Sequence, residues 1–362
     1  MTVRPTAAVR SWLGSLAALA GVLGLVAALV AVVPAVGQQS PRLRVLGQPA
    51  DVGAIQSRFE QPFFSSLAQQ AGLPGAVDYV PLDRSHFAAG DPFDALRAGE
   101  VDIASIRMSQ SGKDAPILLG LDLVGAGPDF ASGRRIADAY GPVLDRELQQ
   151  AFGIKFLGAW PFGPEILYCR KPVSGLADLA GLKLRVYGGD LAAVVQSFGA
   201  VPVRLAWAEM QDALAVGTVD CAVASPVAAN AAELPRATTH VLPLPFQLGI
   251  NGYAMSLNQW NGLAAEQQRR LEAAFRSLED EIWRYSERSA AEAIACGTGT
   301  GQCASGQSYA LREVPVGEAD KQLLRQAFLQ HSFPAWAQRC DTAEPGCSAS
   351  WQAAVGSLVP PR

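Results

Sequence analysis

The sequence predicts an α/β protein divided into two lobes. Three observations lead there. The chain has 362 residues, too many for one ordinary core and comfortable for two. Strand-like and helix-like stretches alternate along it, the order of α/β units. A ten-residue motif also occurs once in each half.

The elements read in order as follows. Leu43 to Leu46 is a strand, Ser57 to Ala71 a helix with its apolar residues on one side, and Val77 to Pro81 a second strand. Ile136 to Phe152 is a helix and Ile154 to Ala159 a strand. Ile166 to Arg170 follows as a crossing strand, then a short helix at Leu176 to Leu179. Lys183 to Val186 is a strand, Leu191 to Phe198 a helix, and Val201 to Leu205 and Thr218 to Ala222 are strands. The alternation predicts mostly parallel sheets.

The repeat is A-L-x-x-G-x-V-D-x-A, at 95 to 104 and again at 213 to 222. It reads the same way twice. A helix ends, Gly99 or Gly217 supplies a left-handed cap, and a short buried strand begins. Asp102 and Asp220 fit caps at the strand starts better than ligand contacts.

One helix is long. From Ala264 to Ala295 there is no Pro or Gly, and Leu271, Phe275, Leu278, Ile282 and Tyr285 recur at three- and four-residue steps. That predicts about 30 residues, or about 45 Å, of amphipathic helix. It could run along both lobes; a coiled-coil dimer seam is the rival reading.

The N-terminus carries an export pattern. Arg4 and Arg10 precede an apolar run from Trp12 to Val33; Pro34 ends it, and Ala35-Val36-Gly37 offers small residues for cleavage before Gln38. The rival is an uncleaved anchor, since the run is long enough to span a bilayer. Either way the remainder lies outside the cytoplasm, and the cysteines agree. Cys296 with Cys303 and Cys340 with Cys347 share C-x6-C spacing in loop-like sequence and are disulfide candidates. Each such closure stabilises by roughly 2 to 3 kcal/mol. Zinc is the weaker reading, with no C-x2-C spacing and only His331 nearby. Cys169 and Cys221 could pair or remain buried thiols.

Net charge is −4 and no basic run of five occurs, which argues against a nucleic-acid partner. Enzymatic motifs are also missing. There are three His, no G-x-S-x-G, no H-E-x-x-H and no P-loop. The stretch Gly297 to Gly301 is glycine-rich but lacks the lysine of a phosphate loop. An exported enzyme is thus the less favoured alternative, and no cofactor is expected.

The segment Lys171-Pro172-Val173 followed by Leu176-Ala177-Asp178-Leu179-Ala180-Gly181-Leu182-Lys183-Leu184-Arg185-Val186 resembles a "kP…tp-DlkGlKiRv" pattern. Phe198 to Val203 resembles "lGa-pv", Glu209 to Asp220 "Evy-ALqtG-vDg", and Trp260 to Gln267 "W-LP-e-q". In this order and spacing they are similar to the DctP-type substrate-binding proteins of TRAP transporters, over about residues 43 to 340. The resemblance implies a periplasmic-binding-protein-like fold: two α/β lobes joined by hinge strands and a long lobe-spanning helix. With residues 1–37 as signal peptide, lobe 1 would comprise 42–162 and about 249–285. Lobe 2 would comprise 163–248, about 286–362 and the C-terminal helices. It implies a periplasmic, monomeric binder (a dimer remaining possible) that passes a small organic acid to TRAP membrane subunits for Na⁺-coupled uptake. An ABC-type importer or a sensor-linked binder is the alternative client.

The resemblance also nominates ligand contacts. Arg185 occupies the family's "lKiRv" arginine, which forms a bidentate salt bridge with a ligand carboxylate. The chemistry agrees, because a planar guanidinium at a strand's C-terminal end faces the crevice where open α/β sheets bind ligands. A structural ion pair with Asp178 or Glu209 is its bland alternative. After each repeat the chain should reach the cleft, exposing Ser105, Arg107 and Ser109 in one lobe and Ala224, Ser225 and Pro226 in the other. Ser225 stands where the family often has an amide. Trp207 could stack on a ligand or serve the core; Glu209 reads as structural. Glu165 is a departure, standing where several members carry a second arginine. It could face Arg107 as a charge-swapped pair, or recognise an amine or hydroxyl of the ligand.

Overall fold

Eleven strands are described, numbered in chain order: β1 (Arg42–Gly47), β2 (Ala76–Pro81), β3 (Ile103–Arg107), β4 (Ile154–Pro161), β5 (Glu165–Cys169), β6 (Lys183–Val186), β7 (Val201–Arg204), β8 (Cys221–Ala224), β9 (His240–Gln247), β10 (Ile250–Ser256) and β11 (Arg312–Glu313). The computed structural model describes residues 42–50, 54–88, 91–113, 115–301, 303 and 307–359. The apolar run and cleavage site expected in the first 37 residues lie outside the described residues. Among the described residues no helix is long and apolar enough to cross a membrane.

The strands form two sheets, ordered β2-β1-β3-β10-β4 and β11-β9-β5-β8-β6-β7. They are mixed: among the described strands five pairings are parallel, β11 with β9 included, and four antiparallel, so the expected parallel majority is narrow. β1 is parallel to β2 and β3, and β6 to β7 and β8, but β10 runs antiparallel to β3 and β4, and β5 to β8 and β9. The cause is the crossing. The chain passes from the first sheet to the second after β4 and returns after β9, so the strand next to each passage enters its sheet from the opposite end.

The repeated motif is the shared unit. β3 stands beside β1 as β8 stands beside β6. Gly99 and Gly217 both adopt left-handed conformations, with φ of 71° and 81°. Each motif aspartate caps the neighbouring parallel strand. Asp102 Oδ2 accepts from Arg44 N–H (2.8 Å), and Asp220 Oδ2 accepts from Lys183 N–H (3.0 Å). Each also takes a cation, Arg44 and Lys171 respectively. The two aspartates thus do the same structural work in each lobe.

Each sheet has its own core. Leu46, Phe64, Ile103, Ile106, Tyr253 and Phe275 belong to the first; Leu167, Leu184, Val186, Val195, Val223 and Leu242 belong to the second. The long helix spans Ala265–Thr298, about 50 Å. Its stripe Leu271, Phe275, Leu278 and Ile282 is buried in the first core. Farther along, Ile294 packs on the second lobe, and Ala293 C=O accepts from Asn230 Nδ2 (2.8 Å). The stripe is therefore consumed within the chain, which removes the basis for a coiled-coil seam.

The C-terminal helices divide between the two cores. Leu324 and Ala327 join the second core, but Trp336, Cys340, Cys347, Trp351 and Val355 join the first. The two tryptophans need acceptors for their buried indole N–H groups. Carbonyls of the turn Pro116–Leu121 provide them: Trp336 Nε1 donates to Pro116 C=O and Trp351 Nε1 to Gly120 C=O, both at 2.7 Å. We propose that the chain end returns to lobe 1, the passages at 162/163 and 248/249 otherwise bounding the lobes.

Three disulfides are present: Cys296–Cys303, Cys340–Cys347 and Cys169–Cys221. The third, left open by sequence, joins register partners on β5 and β8. With these thiols engaged, none is available for zinc.

Candidate functional site

The C-terminal ends of the parallel strands in both lobes face the passages between the sheets, where open α/β sheets bind ligands. Arg185, in β6, is 5% exposed. Its Nε donates to Leu205 C=O (3.2 Å). Neither Asp178 nor Glu209 pairs with it. Asp178 accepts from Ser174 N–H, and Glu209 Oε2 accepts from Ala206 N–H, capping the following helix. The guanidinium Cζ lies 5.9 Å from the ring centroids of both Tyr187 and Trp207. These aromatics are 42% and 44% exposed, so their faces are not spent on the core. The result is a guanidinium between two aromatic rings, with its terminal nitrogens uncommitted among the described residues. That arrangement suits a planar anion.

Glu165 opens β5 beside the passage. Burial pushes its carboxyl up to about 7, opposed by the charge of Arg185 and reinforced by that of Asp122. Asp122 sits at the hinge itself. Its two oxygens accept from Leu248 N–H (3.0 Å) and Ile250 N–H (2.9 Å), flanking Gly249 at φ 63°. Burial raises it to about 6 despite those bonds. Phe162 N–H donates to Gly249 C=O and Gly163 N–H to Leu248 C=O, both 3.0 Å, and Gly125 N–H to Phe246 C=O (2.8 Å). Three chain segments are thereby stitched at one hinge. Gln247 belongs to it as well: Nε2 donates to Asp122 C=O (2.6 Å), while Oε1 accepts from Tyr187 O–H.

The first lobe presents Arg107 at the end of β3. Its Nε donates to Gln48 Oε1 (3.0 Å), and Gln48 Nε2 donates to Ser105 Oγ (2.9 Å). Gln48 N–H in turn donates to Glu60 Oε2 (2.7 Å), which also accepts from Tyr79 O–H (3.0 Å), while Oε1 accepts from Tyr253 O–H (2.9 Å). Glu60 lies in a π-turn, Gln56–Glu60. Such turns, which add a residue to a helical turn, recur at functional sites. Beside Arg107 in register is Asn251, then Trp160.

Comparison with known proteins now decides the family. Residues 73–300, well over half of the chain, match the DctP family, "Bacterial extracellular solute-binding protein, family 7". The chain belongs to this family. It is 26% identical over 225 residues to the C4-dicarboxylate-binding periplasmic protein DctP of Rhodobacter capsulatus, covering 60% of this chain and 66% of that one, just under two thirds of the relative's length. Its fold resembles a TRAP periplasmic solute-binding protein of Rhodobacter sphaeroides solved in an open apo form. The TM-score is 0.76 at 17% identity, over 88% of this chain and 99% of the other. It also resembles an extracytoplasmic solute receptor of Bordetella pertussis that binds pyroglutamic acid. There the TM-score is 0.66 at 15% identity, over 87% and 99%.

For this DctP-family chain, the structure draws Arg185, Glu165 and Trp207 into one neighbourhood. Arg107 is held in the first lobe's Gln48–Glu60 network. Glu165's charge neighbours are Arg185 and Asp122. Ser225 is 2% exposed, caps no backbone group of the helix it precedes, and among the described residues leaves its Oγ without a partner. Sequence reasoning missed Tyr187, Gln247, Asp122 and Gln48. Tyr187 alone carried a local signal: it follows the "lKiRv" strand by one residue and must emerge at the same crevice.

Proposed function

We propose that this chain is an extracytoplasmic solute-binding protein that captures a small organic acid by closing two lobes around it and delivers it to TRAP-type membrane subunits. The carrying observation is the guanidinium of Arg185, held by Nε and framed by Tyr187 and Trp207. Family membership supports the reading, as do relatives named for C4-dicarboxylates and pyroglutamic acid. The ligand bridges the lobes, each contributing contacts only when the hinge at Asp122 and Gly249 closes. Arg185 and Trp207 hold the carboxylate end, and Arg107 and Ser225 complete the closed cleft.

A thermal-shift screen across carboxylates, amino acids, keto acids and sugar acids identifies the ligand, because a binder of the folded state raises Tm. Arg185→Ala should abolish that rise; an unchanged rise sinks the assignment. We further propose export to the periplasm with cleavage after Gly37, so the mature protein should begin at Gln38. The client is read from neighbouring genes. A small four-helix and a large multi-spanning membrane protein support TRAP, whereas an ATPase would favour an ABC-type importer.

A further inference from the structure

We infer that the ligand carries, besides its carboxylate, an N–H or ammonium group that Glu165 accepts. This rests on the carboxylate reading of Arg185 and adds the ligand's second pole.

Glu165 is half-buried at the start of β5 with Arg185 and Asp122 as its charged neighbours, and among the described residues it accepts no hydrogen bond and forms no ion pair within 4 Å. Its neighbours are largely engaged with one another, and the terminal nitrogens of Arg185 are left for the ligand carboxylate. Tyr187 O–H is committed to Gln247 Oε1, Gln247 Nε2 to Asp122 C=O, and Arg185 Nε to Leu205 C=O. Asp122 adds a second negative charge, with both of its oxygens already engaged by the hinge amides. The neighbourhood thus sets two carboxylates against one guanidinium. A dianionic ligand would satisfy Arg185 and be repelled by the other two groups. A ligand with one carboxylate and one donor is complementary at both ends. A donor that reaches Glu165 replaces water there with a charge-assisted hydrogen bond, which favours closure.

The test uses the mature chain and four probes of similar size: proline, pyroglutamate, cyclopentanecarboxylate and succinate. Affinity is measured by calorimetry, with thermal shift as a second readout. Proline or pyroglutamate should bind wild type at least about tenfold more tightly than cyclopentanecarboxylate or succinate, a difference of about 1.4 kcal/mol. Glu165→Leu should erase that preference, and Glu165→Gln, which keeps a neutral acceptor and the same volume, should reduce it. Arg185→Ala reads the underlying carboxylate assignment separately and should weaken every probe alike. The inference is overturned if neither N–H acid outbinds its partners on wild type, or if both Glu165 variants keep the preference. Loss of binding only in Arg185→Ala would leave the carboxylate reading standing alone.

Discussion

Glu60 in the first lobe and Glu165 in the second are both desolvated carboxylates near the passage between sheets, and both are held above the ordinary carboxyl range by burial. They differ in what surrounds them. Glu60 accepts from Gln48 N–H, Tyr79 O–H and Tyr253 O–H. Glu165 accepts from no described residue. The same residue type therefore serves two purposes. The partnered carboxylate organises a core, and the unpartnered one, on our proposal, meets the ligand.

Removing each should break the symmetry between them. Glu60→Ala strands the buried Tyr253 phenol, the half-buried Tyr79 phenol and an amide, and should cost about 3 to 5 kcal/mol in denaturant unfolding, the penalty for dismantling a buried charged network. Glu165→Ala strands no protein donor, and at about pH 5, where burial keeps Glu165 protonated, it should change unliganded stability by less than about 1 kcal/mol. A large loss at Glu165 would make it structural. The lobes differ likewise in covalent restraint. Cys169–Cys221 closes 52 residues on the second sheet, whereas Cys340–Cys347 closes seven beside the first core. Loop entropy assigns about 4 kcal/mol to the first and about 2.5 kcal/mol to the second. Paired Cys→Ala variants compared by urea unfolding check that order. At the hinge, Asp122→Asn trades a charged acceptor for a neutral one and should cost about 1 to 3 kcal/mol.

Much of this architecture was legible because it rests on local chemistry. The motif with Gly99 and Gly217 located two strands and their caps, and the uninterrupted run after Ala264 located the long helix. β9 and β10 were not legible. Pro243 and Pro245 lie inside β9 and argue against a strand, yet β11 pairs only with His240 and Val241, so beyond them β9 is an edge that tolerates missing N–H groups. The site was half legible. Arg185 and Trp207 sit in contiguous sequence, and the resemblance could point to them. Asp122, Gln247 and Glu165 meet only because three passages cross at one hinge, and no local pattern records that convergence. Gln48 and Glu60 are likewise joined by packing between β1 and a helical turn.

The pH dependence separates the two glutamates again, through the ligand. Glu165 is faced by Arg185, Asp122, Tyr187 and Tyr168. Its folded value near 7 and that of Asp122 near 6 lie above their unfolded values. The native state therefore holds protons that the unfolded chain releases. That stability is fully present below about pH 4 and is lost as pH rises through 6 and 7, at about 1.4 kcal/mol per unit of pKa difference. Unliganded Tm should fall from pH 5 to 8, and Glu165→Gln should flatten the upper part of the fall. An acid lacking a donor adds negative charge beside Glu165 and favours its protonated form, so its affinity should weaken as pH climbs past 7. A ligand that gives Glu165 an ammonium favours the ionised form instead, so its affinity should hold or strengthen over the same range. Calorimetry of proline and cyclopentanecarboxylate at pH 6 and 8 measures both slopes. Slopes of the same sign and size would mean that Glu165 does not meet the ligand and that its likeness to Glu60 is closer than its empty surroundings imply.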